Sequence, residues 1–163
     1  MDEGDFSKIT VGDILARSGV SRTTFYRCFA DKYDVINWSY KRYKNIHVRE
    51  RDQHHSFDTA LAAQLRFLKE NQRYYAQALR YLGQNSLRDS IFETNEEYML
   101  ECWREAHHES ELSASERGAI RFAAAGASKV VEMWVLEGCE QDVPEVVRVV
   151  CESTPSAVFE TLY

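Results

Sequence analysis

The chain has 163 residues and a formal net charge of −6, and 44% of its residues are hydrophobic. This length is enough for one or two domains with a buried core, and the acidic balance by itself argues against a nucleic-acid partner. The charge is uneven, however. Residues 1–51 carry 10 Lys/Arg against 7 Asp/Glu, a net +3, whereas residues 52–163 carry 10 against 19, a net −9. A mildly basic N-terminal part on an acidic remainder is typical of a DNA-binding segment joined to a domain with another role.

Several classes of site lack their usual motifs. The four cysteines form no C-x-x-C pair, so neither a zinc ribbon nor a thiol redox motif is indicated. The chain has no G-x-S-x-G, phosphate loop or H-E-x-x-H, so we expect no enzyme activity and can name no cofactor. An acidic start and the lack of a long apolar run predict a cytoplasmic chain that has no membrane partner.

In chain order, the first strong helix signals lie in the segment 9–32. Thr10 is followed three residues later by Asp13, which has the form of a capping box. Gly19 can end this first helix because glycine tolerates the left-handed conformation. A second helix start follows at once, at Ser21. Two short helices joined by a tight turn predict a helix-turn-helix.

The second short helix has a composition suited to DNA. Phe25 and Phe29 are four residues apart and share one buried stripe. The remaining polar and charged residues of this segment would then face outward; they are Arg22, Thr23, Thr24, Tyr26, Arg27 and Lys32. Arginine can donate two hydrogen bonds to a guanine edge, and tyrosine and lysine can hold phosphates. We therefore predict that these six residues bind double-stranded DNA.

The stretch GVSRTTFYRCFADKYDVI resembles the DNA-binding signature of the TetR family of bacterial regulators. Two later stretches, RYYAQALRYLGQNS and WVLEGCEQDVPEVV, resemble the branch of that family that includes dihydroxyacetone kinase regulators. Family members begin with a further helix packed against the helix-turn-helix. Residues 1–8 are too few and too polar to form it, so this first helix is expected to be missing.

After residue 30 the sequence predicts only helices. Asp31 and Asp34 begin a linking helix that runs to about Arg51, and Ser56 begins the next. Later starts are predicted at Asn71, Ser86, Ser113 and Asp142, with a short helix after Pro155. We expect an all-α protein with a helix-turn-helix head and linking helix in residues 1–51, and an effector-binding and dimerisation domain in residues 52–163.

Two late helices carry apolar faces that could form an interface. The resemblance implies that the family dimerises through its last two major helices, which correspond to 113–136 and 143–151. The predicted interface residues are Ala123, Ala127, Val130, Trp134, Val146 and Val150. The alternative is that these faces belong to the core of a single chain.

A small-molecule effector site is expected among the middle helices, although its ligand is unknown. The residues proposed to line it are aromatic or adaptable: Tyr74, Tyr75, Phe92, Met99, Trp103 and His107. The alternative is that they are core residues. Adjacent histidines, His54–His55 and His107–His108, point about 100° apart on a helix and rarely share one metal ion, so no metal site is predicted.

The resulting hypothesis is a dimeric TetR-like transcriptional regulator. It would bind an inverted-repeat operator, and a small molecule would relieve repression. The alternative hypothesis is a protein-binding co-regulator whose head has lost DNA affinity, because the first helix is expected to be missing.

Overall fold

The computed structural model describes residues 6–49, 57–108 and 111–162. Within these ranges the chain forms helices and no strand, which confirms the all-α prediction. A 3₁₀ turn, Phe6–Lys8, precedes the α-helices. These are α1 (Val11–Ser18), α2 (Arg22–Cys28), α3 (Lys32–Arg49), α4 (Phe57–Glu70), α5 (Gln72–Leu79), α6 (Leu87–His107), α7 (Ala114–Leu136), α8 (Val143–Ser153) and α9 (Ser156–Phe159). None of these described helices is long and apolar enough to cross a membrane. The predicted boundary between residues 51 and 52 and the Ser56 cap lie outside the described ranges.

Side-chain caps define where several helices begin, as the sequence predicts. At α1, the Thr10 N–H donates to a carboxylate oxygen of Asp13 at 2.8 Å, and the Asp13 N–H donates to the Thr10 hydroxyl at 3.2 Å. Ser113 and Glu116 form the same reciprocal pair at the start of α7. These bonds satisfy backbone N–H groups that the first helical turn cannot pair internally.

Two predicted caps form no side-chain cap bond. The Asn71 side chain instead donates to the carbonyl of Phe67 at 2.9 Å and so closes the end of α4. Asp142 precedes α8 without a cap hydrogen bond from its side chain. Helix α5 ends at Leu79, four residues before Gly83. The ring of Tyr81 folds over Gly83, where an added Cβ atom would overlap its hydroxyl, so a larger residue there would displace the Tyr81 ring.

The interior consists of two clusters of buried side chains. One joins α3, α4, α5 and the C-terminal half of α7, with Ile36, Leu65 and Val135 among its members. The other lies between α6, the N-terminal half of α7 and α9, and includes Trp103 and Ile120. Burial of this apolar surface is the main favourable term in the stability of the fold.

Helix α3 is shared by the head and the body. Near its start, Trp38 meets the ring of Phe29, which follows α2, with centroids 5.8 Å apart. Tyr33 stacks on Tyr81 of the α5–α6 loop at 3.6 Å, and the Asn85 amide of that loop donates to Asp31 at 3.0 Å. Further along, α3 enters the body. The recognition segment and the body are therefore connected through one rigid element.

The core assignment can be tested with two leucines of opposite exposure. Leu65 is 0% exposed, whereas Leu82 is 72% exposed. Leu65→Ala should lower the free energy of unfolding by about 2–5 kcal/mol, because it removes buried methyl groups and leaves a cavity. Leu82→Ala should change it by less than about 0.5 kcal/mol. Urea unfolding of both variants measures this, and equal losses would show that α4 does not pack as described.

Candidate nucleic-acid interface and internal cavity

The outer face of α2 carries most of the predicted DNA-binding residues. Arg22, Thr23, Tyr26 and Arg27 are all exposed, and half of the Tyr26 surface is accessible. Thr24 is also exposed, but its hydroxyl lies 2.9 Å from the hydroxyl of the Ser21 cap. The helix therefore presents two guanidinium groups, a phenol and hydroxyl groups on one surface, which is a suitable set of donors for bases and phosphates.

The inner face of α2 holds the helix in place. Phe25 is buried and lies 5.5 Å, centroid to centroid, from Phe29, which in turn meets Trp38 of α3. Gly19 has φ = 69°, so the turn between α1 and α2 uses the left-handed conformation that favours glycine. The predicted helix-turn-helix geometry is present in the described residues.

Lys32 differs from the other five predicted DNA-binding residues. Its ammonium donates to the carbonyl oxygens of Phe6 at 3.0 Å and Ile9 at 2.8 Å, and it lies over the rings of Phe6 and Tyr33. It therefore fastens the N-terminal segment onto α3 and does not point to the outer face of α2. The two carbonyls lie 26 and 23 residues before Lys32, so these contacts cannot be predicted from local sequence spacing.

The N-terminal segment has one feature that the sequence reading missed. Phe6 is buried, and it packs edge-on against Tyr33 and Tyr74 at 5.6 and 5.9 Å. By contrast, no residue of α1 is fully buried, and Ile14 and Leu15 are half-buried. Residues 1–5 lie outside the described ranges.

The body contains a small, mostly apolar cavity that is partly open to solvent. Its walls are mostly aliphatic or aromatic side chains from α3, α4, α6, α7 and α8. The lining residues are Tyr40, Lys44, Phe57, Ala60, Leu61, Gln64, Ile91, Asn95, Tyr98, Met99, Ala127, Val131 and Val150. An apolar cavity with a few convergent polar groups is the usual form of a small-molecule site.

Lys44 is the cationic group of the cavity. Only 6% of its surface is exposed, and its side-chain nitrogen donates to the carbonyl of Thr94 at 3.1 Å and to the Asn95 amide oxygen at 2.7 Å. The Asn95 amide nitrogen in turn donates to the Ser128 hydroxyl at 2.9 Å. One hydrogen-bonded chain thus links α3, α6 and α7. Beside it, the Gln64 amide of α4 donates to the Tyr40 hydroxyl of α3.

Burial changes the acidity of this lysine. Loss of hydration lowers the Lys44 pKa from its ordinary 10.5 to about 7, and nearby Glu97, Cys102 and Glu101 offset part of this effect. None of the ion pairs between described residues includes Lys44. Its charge is therefore held in the interior by neutral oxygen atoms and by the ring of Tyr98 at 5.4 Å.

Of the six residues predicted to line an effector site, only Met99 lines the cavity. The others fill space as core or surface residues. Tyr75 is buried against Tyr40 and Phe67, Tyr74 is 39% exposed and packs beside Phe6, and Trp103 stacks on His107. Phe92 packs against the second cluster. The small side chains of Ala60 and Ala127 leave room for the cavity between larger residues such as Tyr40 and Tyr98.

The sequence did contain a signal for Lys44. It follows Ile36 and Tyr40 at intervals of four residues, so it lies on the buried face of α3. Lysine side chains usually stay in water, but the position of Lys44 on the buried face of α3 outweighs this preference.

The predicted dimer residues are also placed differently. All six pack within the single chain: Trp134 and Val146 in the first cluster, Ala123 and Val150 in the second, and Ala127 and Val130 against them. The close approach that the small residues of α7 allow is made by elements of the same chain. The outer side of α7 instead exposes Phe122 (69%) and Met133 (46%), with open space around Gly126 between them.

The histidines that raised a metal hypothesis are partly accounted for. A ring nitrogen of His107 lies 3.0 Å from the carbonyl of Trp103, and its ring stacks on that indole at 4.5 Å. The described residues contain no group of three His, Cys, Asp or Glu side chains placed to hold a metal ion. The His54–His55 pair lies outside the described ranges.

Comparison with known proteins relates the chain to bacterial regulators. Residues 56–154, more than half of the chain, match a family described as "Transcriptional regulator C-terminal region". A relative from Lactococcus lactis subsp. lactis (strain IL1403), the HTH-type dhaKLM operon transcriptional activator DhaS, is 25% identical over 75 residues. That match covers 46% of this chain and 40% of the relative, so it spans less than half of the relative's length.

A solved structure shares the fold. The dihydroxyacetone kinase operon activator DhaS superposes with a TM-score of 0.65 and 16% identity over 98% of this chain and 88% of the other. Both similar proteins are regulators of the kind that the two body motifs resemble, so this resemblance is confirmed.

The buried lysine should make stability depend on pH. Between pH 7 and the ordinary pKa of 10.5, the unfolded chain binds a proton at Lys44 that the folded chain lacks. The free energy of unfolding should therefore rise with pH in this window, by roughly 1 kcal/mol per pH unit, and titration of Lys44 should add no pH dependence below it.

Urea unfolding at pH 7, 8 and 9 tests this on the wild type, on Lys44→Met and on the control Lys41→Met, whose lysine is only half-buried. The rise should vanish in Lys44→Met and persist in Lys41→Met. The range stops at pH 9 because burial raises the pKa values of Tyr40 and Tyr74, so ionisation of the unfolded chain opposes the effect at higher pH. An identical pH dependence in all three proteins would contradict the burial of Lys44.

Proposed function

Because this chain belongs to the TetR family of transcriptional regulators, as its N-terminal motif predicted, we propose that it is a dimeric DNA-binding regulator controlled by a small molecule. The observation that supports the proposal is the exposed face of α2, where the side chains of Arg22, Tyr26 and Arg27 are accessible beside the buried Phe25. The +3 charge of residues 1–51 supports it, since it favours approach to phosphates despite the acidic body. The head and body remain proposed domains, 1–51 and 52–163.

The DNA contacts divide by chemistry. Arg22 and Thr23 lie in the first turn of α2, the part of a recognition helix that usually reaches base edges. Tyr26 and Arg27 lie a turn later and suit the phosphates that flank the groove. Lys32 acts indirectly in this proposal: it holds the N-terminal segment on α3 and makes no DNA contact.

A second copy of the chain is the proposed partner of the outer face of α7. Phe122, Gly126 and Met133 lie about one or two turns apart along that helix, and Val149 on α8 is 37% exposed. Burying such a self-complementary apolar stripe about a two-fold axis is how symmetric dimers form. A dimer also places two recognition helices about one DNA turn (~34 Å) apart, so that specificity comes from two half-sites.

Effector control is proposed to pass through α3. Tyr40 and Lys44 on this helix line the cavity, and Trp38 on the same helix holds Phe29 behind α2. A ligand that binds one orientation of α3 more tightly than another shifts the heads between DNA-binding and non-binding spacings. Couplings of this kind are typically about 1–3 kcal/mol. We propose repression relieved by the ligand, and the activators among its relatives make activation the second candidate for its output.

A protein-binding co-regulator is the second candidate function. The observation that favours it is apolar surface on the head: Val20 and Trp38 are exposed, and α1 has no fully buried residue. Such a head could hold a protein partner in place of DNA.

The DNA-binding assignment predicts the effect of two substitutions. Arg22→Ala and Tyr26→Ala should each weaken binding to the chain's selected duplex by ~1–3 kcal/mol, while the unfolding free energy stays within experimental error. Arg104→Ala, which removes an exposed arginine of α6, is the matched control and should bind as the wild type does.

Lys32→Ala should lower stability, because it removes the two bonds to the Phe6 and Ile9 carbonyls. Fluorescence anisotropy and urea unfolding provide both measurements, and unchanged affinity in an Arg22→Ala, Tyr26→Ala double variant would refute the assignment.

The dimer assignment predicts a change in mass. Phe122→Glu would place a charge in the proposed stripe and should give monomers at micromolar concentration, where the wild type is a dimer. Leu82→Glu makes the same kind of change at an equally exposed leucine outside the stripe and should leave the dimer intact. Sedimentation equilibrium distinguishes these outcomes, and a dimer that persists in Phe122→Glu would place the interface elsewhere.

A further inference from the structure

The body cavity has an asymmetric chemistry. Its polar groups, Tyr40, Lys44, Gln64 and Asn95, come from α3, α4 and α6, whereas Leu61, Met99, Val131 and Val150 provide apolar surface. A ligand that fits this cavity therefore needs an apolar body and a polar end. The chemical nature of this polar end depends on the charge and the hydrogen-bond partners of Lys44.

Among the described residues, Lys44 has no counter-charge within ion-pair distance. Its two hydrogen-bond acceptors, the carbonyl of Thr94 and the amide oxygen of Asn95, are both neutral. The carboxylates that act on it from α6, Glu97 and Glu101, are exposed and form no ion pair with it. Buried charges in proteins are normally paired, because an isolated charge loses its hydration without compensation.

The amine also has spare donor capacity. A lysine ammonium has three N–H groups, and two of those of Lys44 are used by Thr94 and Asn95. Lys44 is one of the residues that line the cavity. A ligand oxygen in the cavity could accept the third hydrogen and, if it carried negative charge, would supply the missing partner.

We propose, building on the effector role above, that the cavity binds a small organic monoanion, with a carboxylate paired to Lys44 and an aliphatic chain against Leu61, Met99 and Val131. A cation is disfavoured by repulsion from Lys44. A dianion is disfavoured because, among the described residues, Lys44 is the one cationic side chain that lines the cavity, and the other lining side chains are neutral. A neutral apolar ligand would leave Lys44 unpaired.

Ligands of the same chain length and different charge test whether binding depends on the negative charge or only on the shape of the ligand. The linear carboxylates from butanoate to octanoate should bind the full chain, and each should bind roughly tenfold to hundredfold more tightly than its primary amide, because a hydrogen bond to a charged acceptor exceeds one to a neutral acceptor. The corresponding alkylammonium ions should not bind. Isothermal titration calorimetry of the protein without DNA measures all three series.

Two variants locate the preference. Lys44→Met keeps the length of the side chain and removes its charge, so the acid and the amide should bind equally. Lys41→Met, one turn away on the same helix, should retain the full preference. The comparison of acid with amide in the wild type needs no variant and stands even if Lys44→Met fails to fold.

Three results would overturn the inference: equal binding of acids and amides by the wild type, a preference that survives in Lys44→Met, or no binding of any of the carboxylates. The outcome is separate from that of the DNA proposal. A chain that binds its duplex but no carboxylate refutes this inference alone, whereas one that binds carboxylates but no duplex refutes the DNA-binding role instead.

Discussion

The burial of one face of α3 is the constraint on which the rest of the structure depends. Ile36, Tyr40 and Lys44 follow at intervals of four residues and enter the body, while Trp38 on another face of the same helix supports Phe29 behind α2. A helix with two packed faces cannot shift against one neighbour without shifting against the other, because close-packed interiors do not deform continuously. Helix α3 thereby connects the surface that would bind DNA with the cavity that would bind an effector.

Burial of Lys44 removes water from a charged group, which destabilises the fold relative to an apolar side chain at the same position. A leucine or methionine at the same position would fill the cavity wall without losing hydration, and replacing buried charges by apolar residues is often stabilising. The chain instead holds an amine with a pKa of about 7 among neutral acceptors. Buried groups with strongly shifted pKa values cluster at functional sites. The lysine is thus better explained by what it binds than by what it contributes to stability.

Local signals predicted the secondary structure well, because Ser or Thr followed by an acidic residue marks a helix start in few residues, as at Thr10 and Ser113. These local signals could not predict which other helix packs against each helix face. The small residues Ala123 and Ala127 indicate close helix approach, but not whether the approaching helix belongs to the same chain. The residues that line the cavity could not be identified from the sequence for a related reason: Tyr75 and Trp103 are large side chains that fill space, whereas an empty space depends on several elements at once. Helical periodicity places Lys44 on the same face of α3 as Ile36 and Tyr40, so its burial could be predicted from the sequence, although lysine is usually exposed.

The most direct test is selection of binding sites from random duplex DNA with the full chain. The account predicts enrichment of an inverted repeat whose half-site centres lie about one helical turn, or a multiple of it, apart. It also predicts that the Arg22→Ala variant enriches the same spacing with relaxed preference at one position in each half-site. A folded, dimeric chain that enriches no sequence would contradict the DNA-binding role and favour the protein-binding co-regulator.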